Sequence, residues 1–154
     1  MKLTTLCLLL KEGKILLAMK KRGFGVGKWN GVGGKVEAGE SIKLAAAREL
    51  KEEIGVDFLE EHLEETGNIK FYFDNKPEWN QHVHIFTVKN WAGEPAESEE
   101  MKPQWYKHSE IPFDSMWADD KYWLPLILAG KKIEGEFHFN SDGTNFDGFE
   151  VKEI

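Results

Sequence analysis

Glu49, Glu52 and Glu53 are the residues whose type and spacing can do chemistry in this chain. They stand at i, i+3 and i+4, and at 3.6 residues per turn that spacing fans three carboxylates over one side of a helix. Like charges at i,i+4 cost a helix roughly 0.2–0.5 kcal/mol per pair, so the arrangement needs either water or a cation beside it. One reading is a solvated acidic face softened by Arg48 and Lys51. The other is a hard divalent cation, Mg²⁺ or Mn²⁺ as its substitute, which takes oxygen ligands and relieves the repulsion. The helix that carries the three acids is well delimited. Ser41 can cap its start with a side-chain oxygen, and Gly55 suits the left-handed residue that often ends a helix. Ala46, Ala47, Leu50 and Ile54 recur at helical spacing as its apolar face, with Ala45 on the acidic side.

A longer pattern decides between water and metal. In the stretch GVGGKVEAGESIKLAAARELKEEIGV, residues Gly34, Glu40, Arg48, Glu49, Leu50, Glu52, Glu53, Gly55 and Val56 fit G-x5-E-x7-R-E-U-x-E-E-x-G-U, where U is bulky and apolar. This resembles the signature of the Nudix hydrolases with no position missing. The resemblance implies a loop-helix-loop that holds Mg²⁺ against a pyrophosphate. It makes Glu49, Glu52 and Glu53 metal-binding and catalytic carboxylates, adds the Gly33 carbonyl to the metal ligands, and pairs Arg48 with Glu40 to orient the helix; Glu100, outside the signature, joins the metal ligands through a narrower likeness to one branch of the family. Glu53, Glu52 and Glu100 are all candidates for the proton acceptor.

The substrate must be read from outside the signature. The segments MKKRGFGVGKWNGVGGKVE, GEPAESEEMKPQWY and IPFDSMWADDKYWLPLIL and the closing hairpin resemble a branch of the family, the oxidised purine nucleoside triphosphatases of animals. The likeness implies hydrolysis of 8-oxo-dGTP- and 2-hydroxy-dATP-type substrates to a monophosphate and pyrophosphate, sanitising the nucleotide pool and so avoiding DNA damage. It places Asn30 on the purine base, Asp119 and Asp120 on its other edge, and Trp117 and Phe24 as a sandwich or wall for the ring. Thr5, Lys20 and the backbone of Val32, Gly33, Gly34 and Lys35 would surround base, sugar and phosphates. Plain alternatives stand beside each: Asp119-Asp120 as a helix cap, Trp117 and Trp123 as core aromatics, Asn30 as a turn former. Two departures from the branch are visible. Ala118 replaces a proline, and PEWNQHVH at 77–84 carries polar Asn80 and Gln81 where an apolar methionine is usual. Other nucleoside diphosphate derivatives, such as nucleotide sugars or dinucleotides, are the competing substrate class; a non-catalytic nucleotide sensor is the competing function.

The elements that must position these residues follow from periodicity. Residues 3–10 and 15–19 read as strands about a Glu12-Gly13 turn, and 20–30 as a glycine-rich connector that fits no phosphate-loop pattern. A helix is expected over 41–54, strands over 69–73 and 82–88, a polar connection over 91–103, and a short strand from Trp105. A second helix over about 119–129 tolerates Pro125 only near its start or at a kink. Strands over 133–139 and 144–151 close the chain about Ser141-Asp142-Gly143. His82 and His84 share a strand face, compatible with a metal or with simple cross-strand packing. The order β-β-α-β-β-β-α-β-β predicts an α/β layer architecture, a mixed curved sheet between helices, in one domain over 1–154, and the Nudix resemblance implies that it is an α/β/α sandwich. A net charge of −7 argues against a nucleic-acid polymer as partner, leaving a small nucleotide. TTLCLLL is too short to span a membrane and lacks a cleaved-signal pattern. The single cysteine, Cys7, suits a reducing cytoplasm and is a core residue by context. A monomer is expected.

Overall fold

The apolar run at the N-terminus folds back on itself at once. β1 (Lys2–Lys11) and β2 (Lys14–Lys20) are antiparallel, with Leu10 opposite Ile15 and Lys11 opposite Lys14. Glu12 and Gly13 turn between them with φ of 51° and 75°, the conformation that matches the twist of a two-residue hairpin. The computed structural model describes residues 1–154. Its remaining elements are β3 (Trp29–Asn30), α1 (Ile42–Ile54), β4 (Leu63–Phe73), β5 (Gln81–Val88), β6 (Met101–Lys107), α2 (Asp120–Leu128), β7 (Ile133–Phe139) and β8 (Phe146–Glu153).

All eight strands join one sheet in the order β3-β2-β1-β5-β4-β7-β8, with β6 also paired to β2. The pairs β1–β5 and β4–β7 are parallel and the others antiparallel, so the expected mixed sheet is present. α1 covers one face, packing Ala46, Leu50 and Ile54 with Cys7, Leu9, Leu16, Phe86 and Val88. α2 covers the other, packing Trp123, Leu124 and Ile127 with Leu8, Ile69, Val83, Ile85 and Phe137. Alternation along β1 explains the division, because successive side chains point to opposite faces.

Several expected boundaries move. β3 is an addition, made when Trp29 and Asn30 pair with Met19 and Ala18. β4 begins six residues before the apolar alternation, because Leu63, Glu64 and Glu65 pair with Val88, Thr87 and Phe86 across a bulge; backbone pairing does not require apolar side chains. β6 starts at Met101, inside the expected connection, for the same reason. In α1 the buried face uses Ala45 in place of Ala47. Pro125 sits mid-helix, where it removes one intrahelical donor; burial of Trp123, Leu124 and Ile127 holds the short helix regardless. His82 Nε2 meets Asn68 Oδ1 at 2.9 Å and His84 Nδ1 meets Glu65 Oε1 at 2.6 Å, which is cross-strand pairing between β5 and β4.

The connector 20–30 is a series of hydrogen-bonded turns. Val26 and Lys28 N–H donate to Gly23 and Gly25 carbonyls, and Gly27 N–H donates back to Lys20. The loop after β3 lies against β1. Val32 exchanges both backbone hydrogen bonds with Cys7, and Thr5 N–H donates to the Gly34 carbonyl at 2.9 Å. Between them, a Cβ on Gly33 would collide with the Thr5 carbonyl. Gly33→Ala is therefore expected to destabilise the protein by at least about 2 kcal/mol, a Tm drop of roughly 5 °C at this size. A thermal melt within 1–2 °C of wild type, on that ~2–4 °C per kcal/mol scale, would show that the loop can yield.

Candidate active site

α1 begins and ends as its sequence dictates. Ser41 Oγ accepts from Leu44 N–H at 3.1 Å, and Gly55, at φ 73°, donates its N–H to Lys51 O. With Ala45, Ala46, Leu50 and Ile54 buried, Arg48, Glu49, Glu52 and Glu53 are carried around the rim. Arg48 is the hub. It donates through Nε and Nη2 to the two Glu40 oxygens at 2.8 and 3.1 Å, and through Nη1 to Glu49 at 2.9 Å and Glu52 at 3.2 Å. Nη2 also donates to the Lys35 carbonyl at 3.0 Å. These bonds fasten the loop before α1 to the helix and hold the guanidinium well above its usual range, Glu40 being the main cause.

The acids are not equivalent. Glu52 is exposed and turned to Arg48. Glu49 points inward, its carboxyl so close to Gly34 that a Cβ there would lie 2.5 Å from it. Glu53 is more secluded, with Oε2 buried and without a hydrogen-bond partner. Burial, then the Glu49 charge, push its carboxyl up to about 8; Lys20 acts in the opposite sense and Glu100 weakly in the same one. Glu100 arrives from the segment before β6 and is held by Arg22 Nε at 2.8 Å, which keeps its carboxyl below the usual range. Lys21 reinforces that junction, donating to Ser98 O at 2.7 Å and pairing with Glu97.

As the side chains stand, no three acids or histidines are gathered as a ready-made metal cluster, because arginines occupy Glu52 and Glu100. The donor set nevertheless fits a hard cation. The Glu49 charge bears on the Glu53 carboxyl, Glu53 keeps an orphaned buried oxygen, and the Gly33 carbonyl takes no backbone N–H, unlike those of Val32 and Gly34. A divalent ion answers all three.

Beside this rim opens a cavity of about 200 Å³. Thr5, Lys20, Phe24, Asn30, Gly33, Gly34, Trp117, Asp119 and Asp120 all line it. Val32 does not: it is fully buried against Cys7, with its backbone groups spent on β1. Lys35 also lies off the cavity, where its carbonyl serves Arg48. Phe24 and Trp117 pack against one another at 5.1 Å between ring centroids. A base between two faces needs about 3.5 Å on each side, so these rings form one wall and not a sandwich. Asn30 Oδ1 accepts its neighbour's Gly31 N–H at 2.9 Å, which leaves the amide NH₂ of this cavity-lining residue unused.

Asp119 and Asp120 lie at the start of α2, yet neither caps it. Asp119 has helical φ and ψ and makes no side-chain cap bond; its Oδ2 instead accepts Trp123 Nε1–H at 2.7 Å. Both carboxyls are almost fully buried. Burial raises Asp119, and burial together with the Asp119 charge raises Asp120 well above the usual range. Asp120 Oδ2 has no partner. The pair therefore presents a neutral carboxyl beside one that accepts, which can offer a donor and an acceptor to a ligand edge.

The sequence alone does not single out Trp123 as the anchor of Asp119, nor Phe71, Phe73 and Phe139 as lining of the cavity, and it marks Gln81, which also lines it, only as a departure from the branch. The alternation Ile69, Phe71, Phe73 marks one strand face, but whether that face meets a core or a cavity depends on what covers it. Trp79 packs on Phe24 at 5.0 Å and Phe73 at 5.5 Å, with Lys76 Nζ 4.0 Å from its ring centroid.

Residues 2–127 match the family described as NUDIX domain. Over 138 residues the chain is 54% identical to the "Oxidized purine nucleoside triphosphate hydrolase" of Danio rerio, covering 90% of this chain and 86% of that protein. The mouse protein of the same description is 49% identical over 143 residues, covering 93% and 90%. A solved MutT protein from Bacillus halodurans superposes with a TM-score of 0.84 at 29% identity, covering 99% of this chain and 98% of that one.

Proposed function

The chain belongs to the Nudix family, and from that premise we propose that it hydrolyses oxidised purine nucleoside triphosphates to the monophosphate and pyrophosphate. Its role is then to clear damaged purines from the nucleotide pool. The observation that carries the purine assignment is the Asp119–Asp120 pair: two buried carboxyls, one with an unpartnered oxygen, in an aromatic cavity that opens beside the glutamate rim. The described relatives in fish and mouse support it.

The base enters the cavity against the Phe24–Trp117 wall, with Asn30 and the Asp pair on its polar edges. Lys20 and the Gly33–Gly34 backbone then face sugar and phosphates, and the chain of phosphates runs out toward Glu49 and Glu53. Glu49, Glu52, Glu53, Glu100 and the Gly33 carbonyl would hold Mg²⁺, which when bound would set positive charge against the phosphoryl oxygens and acidify water. Water attacks the β-phosphorus; the bond from that phosphorus to the α-bridging oxygen breaks, the nucleoside monophosphate leaves with that oxygen, and the water oxygen stays on the pyrophosphate. We assign the water's proton to Glu53. Its buried Oε2 is free of other partners, whereas Glu52 and Glu100 are each held by an arginine. Arg48 acts through others, holding Glu49 and the loop in place. A cytoplasmic monomer completes this reading, supported by a buried single thiol; no helix is long and apolar enough to cross a membrane.

The test is pyrophosphate release with Mg²⁺ and with a chelator, across 8-oxo-dGTP, 2-hydroxy-dATP, the normal triphosphates, nucleotide sugars and dinucleotides. Preference for oxidised purines, abolished by the chelator, is expected. Preference for sugars or dinucleotides would replace the substrate, and binding without turnover would make the protein a sensor.

A further inference from the structure

Gln81 is a polar side chain of the cavity that the reading above leaves without a task. It is the first residue of β5, lies opposite Phe71 of β4, and lines the same cavity as Asn30, Asp119 and Asp120. Its backbone is anchored from both sides of the preceding residue. Asn80 Oδ1 accepts Phe73 N–H at 2.8 Å, and the Asn80 carbonyl accepts Lys2 N–H at 3.2 Å. The amide itself is held at both ends: Oε1 accepts from Thr4 Oγ1–H at 3.2 Å, and Nε2 donates to the Trp79 carbonyl at 3.4 Å. A side-chain amide has two N–H donors and two lone pairs on oxygen. The Trp79 carbonyl, which can only accept, settles which end is nitrogen, and the two bonds leave the amide one N–H donor and one oxygen lone pair unused.

A donor next to an acceptor is the complement of a lactam, the N–H and C=O neighbours of a cyclic amide. Oxidation adds that feature to a purine. At the 8-position it turns an acceptor nitrogen and a C–H into N–H and C=O, and at the 2-position of adenine it does the same to N1 and C2. Resting on the proposed function, which puts the base in this cavity, we propose that Gln81 is a specificity-determining residue that reads a lactam edge of the oxidised purine. Thr4 and the Trp79 carbonyl are its positioning groups, because an amide on a strand with both ends tethered meets its ligand already oriented.

The bland alternative is that Gln81 only ties β5 to Thr4 of β1. The two separate in one experiment. Steady-state kinetics with 2-hydroxy-dATP, dATP, 8-oxo-dGTP and dGTP would compare wild type with Gln81→Met, which keeps length without polarity, and Gln81→Glu, which removes the donor. The expected result is a rise in KM of about three- to tenfold for the two oxidised substrates, with kcat retained and dATP changed less than twofold. The 2-hydroxy-dATP to dATP preference shrinks accordingly. Thr4→Val should shift it the same way by less. Binding of 8-oxo-dGMP, followed by tryptophan fluorescence, gives a second readout independent of turnover. An equal loss for all four substrates, or an unchanged preference and Kd, overturns the role of Gln81 alone. A wild type that ignores oxidised purines overturns the proposed function, and this inference with it.

Discussion

Glu53→Gln is expected to lower kcat by at least about a hundredfold while leaving the fold intact. The amide keeps the shape of the carboxyl but can neither take a proton nor contribute a negative charge to a cation. Glu53 is the member of the acidic rim with a buried, unpartnered oxygen, so the loss falls on the chemical step. Stability should behave differently. The folded-state carboxyl is raised from 4.5 to about 8, burial being the first cause and Glu49 the second. Between those values the folded protein binds more protons than the unfolded chain, so wild-type stability falls as pH rises through the window. The glutamine variant lacks that dependence. Melts in chelator should show it gaining on wild type from about pH 4.5 to about pH 8. Activity within a few-fold of wild type at saturating Mg²⁺ would remove Glu53 from the mechanism.

The second large effect is selective. Asp120→Asn should cut kcat/KM for 8-oxo-dGTP and 2-hydroxy-dATP by about ten- to a hundredfold. A proton held by one carboxyl and accepted by the other lets the pair present either pattern to a base edge, and a fixed amide cannot reproduce both. The loss for dCTP should be small, because a pyrimidine makes little use of that edge. Melting again supplies the control. Asp120 is raised well above 3.8 by burial first and by Asp119 second, so wild type loses stability as pH climbs from about that value toward the folded-state pKa. Asp120→Asn should therefore be at least as stable as wild type at neutral pH, with the gap widening from acid to neutral. An equal kinetic drop on every nucleotide, or a variant that melts well below wild type, would mean that Asp120 serves the start of α2 and not the base.

Local signals fixed much of this protein before any folding is considered. Helix periodicity, a serine cap and a terminal glycine set α1 to within a residue, and 3.6 residues per turn put Glu49, Glu52 and Glu53 on its rim. Alternation located the strands of the core, and the signature spacing named the chemistry. These are properties of neighbours in sequence, and a chain carries them in any context. The edges of the sheet were less legible. Leu63–Glu65, Met101 and Trp29–Asn30 became strand because partners lay beside them, which side-chain pattern does not record.

The cavity was the part only tertiary structure could decide. Asp119 and Asp120 read equally well as a helix cap until Trp123 took one carboxyl and burial deprived the other of water. Glu49, Glu52 and Glu53 are alike in sequence. They part because Arg48 reaches Glu49 and Glu52, and the fold closes over Glu53. Gln81 and Thr4 are 77 positions apart and meet only when β5 lies parallel to β1. Burial and long-range pairing set the free energy of a charge or an amide, and neither belongs to a residue until the sheet has brought distant strands together.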